Sequence, residues 1–77
     1  MLTKKEVIRI KDMYEPGTEI ELIHMEGEDM PRGTIGTVVK VDDIGQIHMK
    51  WQNGSSLALN TETDTFNVIV AIKSNKL

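Results

Sequence analysis

Between Ile35 and Leu59 three short runs alternate apolar with polar residues, and all three apolar sets fall on odd numbers. Ile35, Thr37, Val39 and Val41 make the first set, Ile47, Met49 and Trp51 the second, Leu57 and Leu59 the third. Alternation of period two over short segments bounded by turn residues is the pattern of half-buried strands. Paired residues on neighbouring strands share a face, so each connection must preserve parity. A two-residue turn at Asn53-Gly54 fails this condition, because it pairs Lys50 with Leu57 and puts the third set on the polar face. A three-residue loop, Gln52-Asn53-Gly54, satisfies it by pairing Met49 with Leu57 and Ile47 with Leu59. Gly54 then takes the left-handed position of a type I turn with a G1 bulge, where a Cβ is penalised. Asp43-Ile44-Gly45 solves the same way and pairs Val41 with Ile47.

This register predicts two surfaces. The inner face carries the odd-numbered residues, with Trp51 across from Thr37 as a core or rim anchor; the other reading makes its indole an exposed ligand platform. On the outer face Lys40, His48 and Ala58 form one row and Val38, Lys50 and Ser56 the next. Two lysines and a histidine beside small residues leave a shallow, mildly basic dent, for which a solvated sheet face is the plainer account.

At the N-terminus Thr3-Lys4-Lys5-Glu6 is a capping box, and Leu2 and Val7 have the spacing of a hydrophobic staple. Val7, Ile10 and Tyr14 recur at helical spacing with Ile8 beside them, which predicts a helix over residues 3–13. A helix this short is marginal alone, so it is expected to pack on the sheet. Glu15-Pro16-Gly17 ends it. Thr18 to Met25 follows as a strand with Ile20 and Leu22 on one face. Glu26 to Gly33 is a long irregular loop carrying Glu26, Glu28 and Asp29, placed like the RT loop of SH3-type barrels and either functional or simply solvated. Phe66, Val68, Val70 and Ile72 alternate as a last strand long enough to close against the first. Residues 74–77 are expected to fray.

Seventy-seven residues make a single domain, with the barrel over 18–73. The net charge of −3 divides into +2 over residues 1–13, −7 over 14–72 and +2 from Lys73 and Lys76. An acidic body with basic ends opposes wrapping of a phosphate backbone. The chain has no cysteine, so neither a disulfide framework nor a thiolate metal site is available. No apolar run spans a membrane and no signal-peptide pattern is present, so a soluble, cytoplasmic protein is expected. His24 and His48 lie on different strands and spacing fixes no third ligand, so no metal or other cofactor is expected. Asp42-Asp43 before Gly45 reads as side-chain capping of a turn rather than a calcium loop. No P-loop, glycine fingerprint or nucleophile elbow occurs, and no catalytic residue is assigned.

Several blocks nevertheless look familiar together: Glu21 to Met25, Gly33 to Val38, Val41 to His48, Trp51 to Leu57 and Asp64 to Phe66. They resemble a family of small uncharacterised domains of bacteria, phages and mobile elements, over nearly the whole chain. Members usually carry Pro-Pro-Gly where Pro31-Arg32-Gly33 stands here, and Asp where Gln52 stands. The resemblance implies an SH3-like fold and assigns no activity. The expectation is a mainly β protein: a five-stranded SH3-like barrel with a short N-terminal helix. It is expected to be a non-enzymatic module for protein–protein interaction, serving as an accessory protein of a phage or mobile element. Glu26, Glu28, Asp29, His48, Lys50 and Trp51 are the binding candidates, and the unknown partner is expected to present a basic surface. The alternative is a nucleic-acid-binding barrel.

Overall fold

The computed structural model describes residues 1–69. The chain begins with helix α1, Lys4–Met13, capped as its sequence requires. Thr3 Oγ1 accepts the Glu6 amide at 3.2 Å, and Glu6 Oε1 accepts the Thr3 amide at 2.7 Å, which satisfies two of the amides a helix start leaves unpaired. Val7 and Ile10 are buried while Ile8 is 58% exposed, so the apolar stripe is narrower than its composition suggests. Tyr14 closes the helix through a bond from its amide to the Ile10 carbonyl and meets Phe66 edge to face, with ring centroids 5.5 Å apart.

Four strands follow: β1 Glu19–His24, β2 Ile35–Val41, β3 Ile47–Trp51 and β4 Thr65–Val68. They form one antiparallel sheet in the order β3-β2-β1-β4. Pairing of β4 with β1 follows the closure expected of the last strand; the expected continuation through Val70 and Ile72, and the tail 74–77, lie outside the described residues. Ile20, Leu22, Ile47 and Leu59 are fully buried, and Ile10, Met25, Val38, Met49 and Trp51 complete the core around them.

The described residues form an open four-stranded sheet with one short helix, where five strands were expected. The fifth, at residues 56–60, is reduced to a single bridge between Ile47 and Leu59. The register is nonetheless the expected one. Ile47 and Leu59 exchange both amide bonds, at 2.9 and 2.8 Å, and the Trp51 amide bonds the Ser55 carbonyl at 3.0 Å. The rung between them, Met49 with Leu57, does not form. Leu57 gives its carbonyl to the Trp51 indole N–H at 2.9 Å and its amide to Ser55 Oγ at 3.2 Å. A buried indole N–H left unpaired costs more than one ladder bond near a sheet edge contributes, so the side chain takes the carbonyl.

A second departure lies in β2. Val41 pairs with Ile47 and Lys40 with His48 as expected, but the register shifts between Lys40 and Val38, which pairs with Met49. Val39 is the extra residue of a β-bulge and is 52% exposed. Gly36 and Val38 therefore face the core in place of Thr37 and Val39, and Gly36 rather than Thr37 stands opposite Trp51. A Cβ at Gly36 would lie 2.5 Å from Trp51 Cε3 and 2.8 Å from Cδ2. Burying an indole contributes roughly 4–6 kcal/mol of transfer free energy, from ~150–250 Å² at about 25 cal/mol per Å². A disrupted ladder bond costs about 1 kcal/mol. The bulge is the cheaper adjustment.

Candidate functional site

A concavity lies at the helix end of the sheet, where three segments distant in sequence converge. Leu2, just before the helix cap, lies with Val7 and Ile10 over Gly45, whose missing Cβ leaves room for the Leu2 side chain. Gly45 itself is held at φ +86° by the turn between β2 and β3. On the other side the Ile47–Leu59 bridge delivers Asn60 and the turn after it. Asn60 fixes that turn by accepting the Glu62 amide on Oδ1 at 2.8 Å and the Thr63 and Asp64 amides on its carbonyl at 3.2 and 2.9 Å. Between Met1-Leu2, the turn Asp43 to Gln46, and Asn60 with Glu62 runs an open cleft of about 370 Å³.

The cleft has an apolar rim and two carboxylates. Ile44, at the tip of the turn, is 67% exposed; a turn tip of this type needs no apolar side chain for its own geometry. Asp43 meets Lys11 Nζ at 2.9 Å, and its side chain remains 97% exposed. The hydrogen bond and the charge of Lys11 hold its carboxyl below the usual aspartate range. Glu62 lies 3.7 Å from the Met1 amine. The surface thus combines apolar contact area with carboxylates that already attract ammonium groups.

Beside the cleft Asp42 organises the turn from below. Its Oδ1 accepts the amides of Ile44 and Gln46 at 3.1 and 2.9 Å, and its Oδ2 lies 2.8 Å from His48 Nε2. Partial burial pushes the Asp42 carboxyl up, but the bonds from His48, Gln46 and Ile44 outweigh it and leave the net value lowered. An Asp–His pair can orient a general base, yet two of the three bonds here go to turn amides, which is the work of an Asx cap. Among the described residues no group of three His, Cys, Asp or Glu side chains is placed to hold a metal ion.

Residues 3–69 match the family described as a domain of unknown function, DUF4314. The chain belongs to that family. No curated protein matches it, and no solved structure matches it.

In this DUF4314 domain the residues singled out from sequence lie apart. Glu26, Glu28 and Asp29 are exposed in the loop between β1 and β2, and Glu26 lies 3.5 Å from His24. That loop is fastened at its base by Asp64, whose carboxylate accepts the Glu26 amide at 2.9 Å and the Asn60 amide at 2.8 Å. Farther along it, Met30 Sδ accepts from Asn53 at 3.5 Å. His48 stands opposite Lys40 as expected, whereas the bulge pairs Lys50 with Thr37 rather than placing it in a row with Val38. Trp51 is 2% exposed, which agrees with the reading of it as a core anchor and not with that of an exposed ligand platform. None of these six lines the cleft. Leu2, Asp43, Ile44 and Glu62, which do, were not among the binding candidates: Leu2 was read as part of the helix staple and Asp43 as part of a turn. The one local signal was an isoleucine in a turn otherwise built of Asp and Gly.

Proposed function

We propose that this DUF4314 domain is a non-enzymatic protein-binding module that receives a basic, partly apolar segment of its partner in the cleft between α1 and the turn after β2. The observation that supports this reading is Ile44, 67% exposed at the rim of a concavity flanked by Asp43 and Glu62. An exposed apolar residue next to carboxylates suits a lysine or arginine adjoining a large apolar side chain. The apolar contact supplies affinity and the charges supply steering and selectivity. The acidic loop at Glu26, Glu28 and Asp29 adds to the same long-range field. We further propose an SH3-like barrel, for which the support is the family resemblance together with the antiparallel order β3-β2-β1-β4, and a cytoplasmic accessory role in a phage or mobile element, for which the support is the resemblance alone.

Peptides selected from a displayed random library against the immobilised domain test this. The expected consensus joins Lys or Arg to a large apolar residue, and Ile44→Asp weakens binding at least about tenfold, equivalent to about 1.4 kcal/mol, with the far-UV spectrum unchanged. Acidic consensus sequences, or equal binding by the variant, overturn it. The nucleic-acid reading rests on Lys4, Lys5 and Arg9, which are exposed on α1. Tight oligonucleotide binding at physiological salt, lost in Lys4→Ala/Lys5→Ala/Arg9→Ala, would favour it.

A further inference from the structure

The two edges of the sheet are treated differently. Along β3 the returning segment supplies rungs at Leu59 and Ser55, so that edge is covered. At the other edge, among the described residues, β4 pairs with β1 alone. The bond from the Ile69 amide to the Glu19 carbonyl fixes the phase: Asn67 and Ile69 turn their backbone groups toward β1, and Phe66 and Val68 turn theirs away. An exposed edge is normally guarded by charge, proline or a bulge. Thr65 to Ile69 has neither charge nor proline, the irregularity of its pairing falls on β1 between Leu22 and His24 rather than on the edge strand, and the sequence continues uncharged through Val70-Ala71-Ile72. Thr65, Asn67, Val68 and Ile69 are exposed.

We infer that β4 pairs antiparallel with β4 of a second copy of this chain. A two-fold axis beside Asn67 sets Phe66 of one copy against Val68 of the other, and these are the residues whose N–H and C=O groups point outward. The pairing brings no like charges together, because the edge has none. A peptide partner would need a matching uncharged strand, whereas a second copy supplies one with the required phase. The contact joins the two sheets into one continuous sheet and leaves the cleft at the helix end of each copy open.

Sedimentation of the full chain from micromolar to millimolar concentration is expected to show its mass doubling. Val68→Pro removes an outward N–H without touching the β1 ladder, and Val68→Lys places a charge at the edge; each should weaken association at least about tenfold. Asn67→Cys, in a chain with no other cysteine, should form an intermolecular disulfide under mild oxidation, since residues facing each other in a non-hydrogen-bonded pair lie about 4.5 Å apart at Cα. A monomer at millimolar concentration overturns the inference, as does a dimer indifferent to both Val68 variants. Hydrogen exchange decides even where a variant fails to fold. Protection of the Phe66 and Val68 amides that rises with concentration supports the dimer, and protection already complete in the monomer means that the chain covers its own edge.

Discussion

In the turn after β2 the Gly45 amide bonds the Asp42 carbonyl and the Asp42 amide bonds the Gln46 carbonyl, both at 3.0 Å; in the turn after β3 Gly54 and Trp51 make the same pair of bonds, also at 3.0 Å, with Ser55 in the place of Gln46. The two glycines have φ values of +86° and +88°. Around Gly45, however, the helix and its preceding Leu2 close down, while a Cβ at Gly54 would meet nothing within 4 Å. Local sequence sets the turn type in both places, and what packs on the turn decides how much a change there costs.

Gly36 separates the two costs, because it needs no positive φ and is excluded from bearing a Cβ only by Trp51 and Met49. Gly36→Ala is expected to show the largest effect, about 3 kcal/mol in urea melts, since a buried ring tied by its N–H to Leu57 cannot easily move aside. Gly45→Ala combines left-handed strain with displacement of the Leu2 methyl, a pliable neighbour, and should cost about 2 kcal/mol. Gly54→Ala meets strain alone, about 1 kcal/mol, and Gly54→Asn no more than a few tenths, because Asn tolerates the left-handed region. If Gly45→Ala proves no worse than Gly54→Ala, the helix does not bear on the first turn.

Acid should distinguish the turns as well. The folded-state value of Asp42 is lowered from 3.8, so its contribution is present above that pH and is lost as pH falls below it through the folded value. In the other turn the equivalent side-chain bond comes from Asn53 Oδ1 to the Ser55 amide at 3.0 Å, and that group does not titrate there. Protection of the Ile44 and Gln46 amides, taken relative to their intrinsic exchange rates, should therefore fall on acidification, while protection of the Ser55 amide should not change. In Asp42→Asn the difference between the turns should vanish. This is the smallest of the expected effects, because Asp42 is partly exposed and screened by solvent.

Both turns, the capping box, and the Val41–Ile47 and Ile47–Leu59 pairings were legible in the sequence because each depends on residues close together in the chain. The bulge at Val39 was not. Parity suggested an unbroken β2, and only the demand of the Trp51 indole for a neighbour without a Cβ selects Gly36 over Thr37. The missing Met49–Leu57 rung was hidden for the same reason: a side-chain donor competed for a backbone carbonyl, and no alternation pattern records that. The cleft was least legible, since residues 1–2, 43–46 and 60–62 meet only after the sheet and helix have formed.

The chain has one tryptophan, and it sits where β2, β3 and the returning segment join, shielded from water and tied by its N–H to Leu57. Nature has thereby built a fluorophore into the joint. Its emission should be blue-shifted in the native state, and any event that frees the Leu57 carbonyl or opens the space over Gly36 should move it to the red. Loosening at that seam can be followed optically in the unlabelled protein, separately from changes at the helix end, where no indole reports.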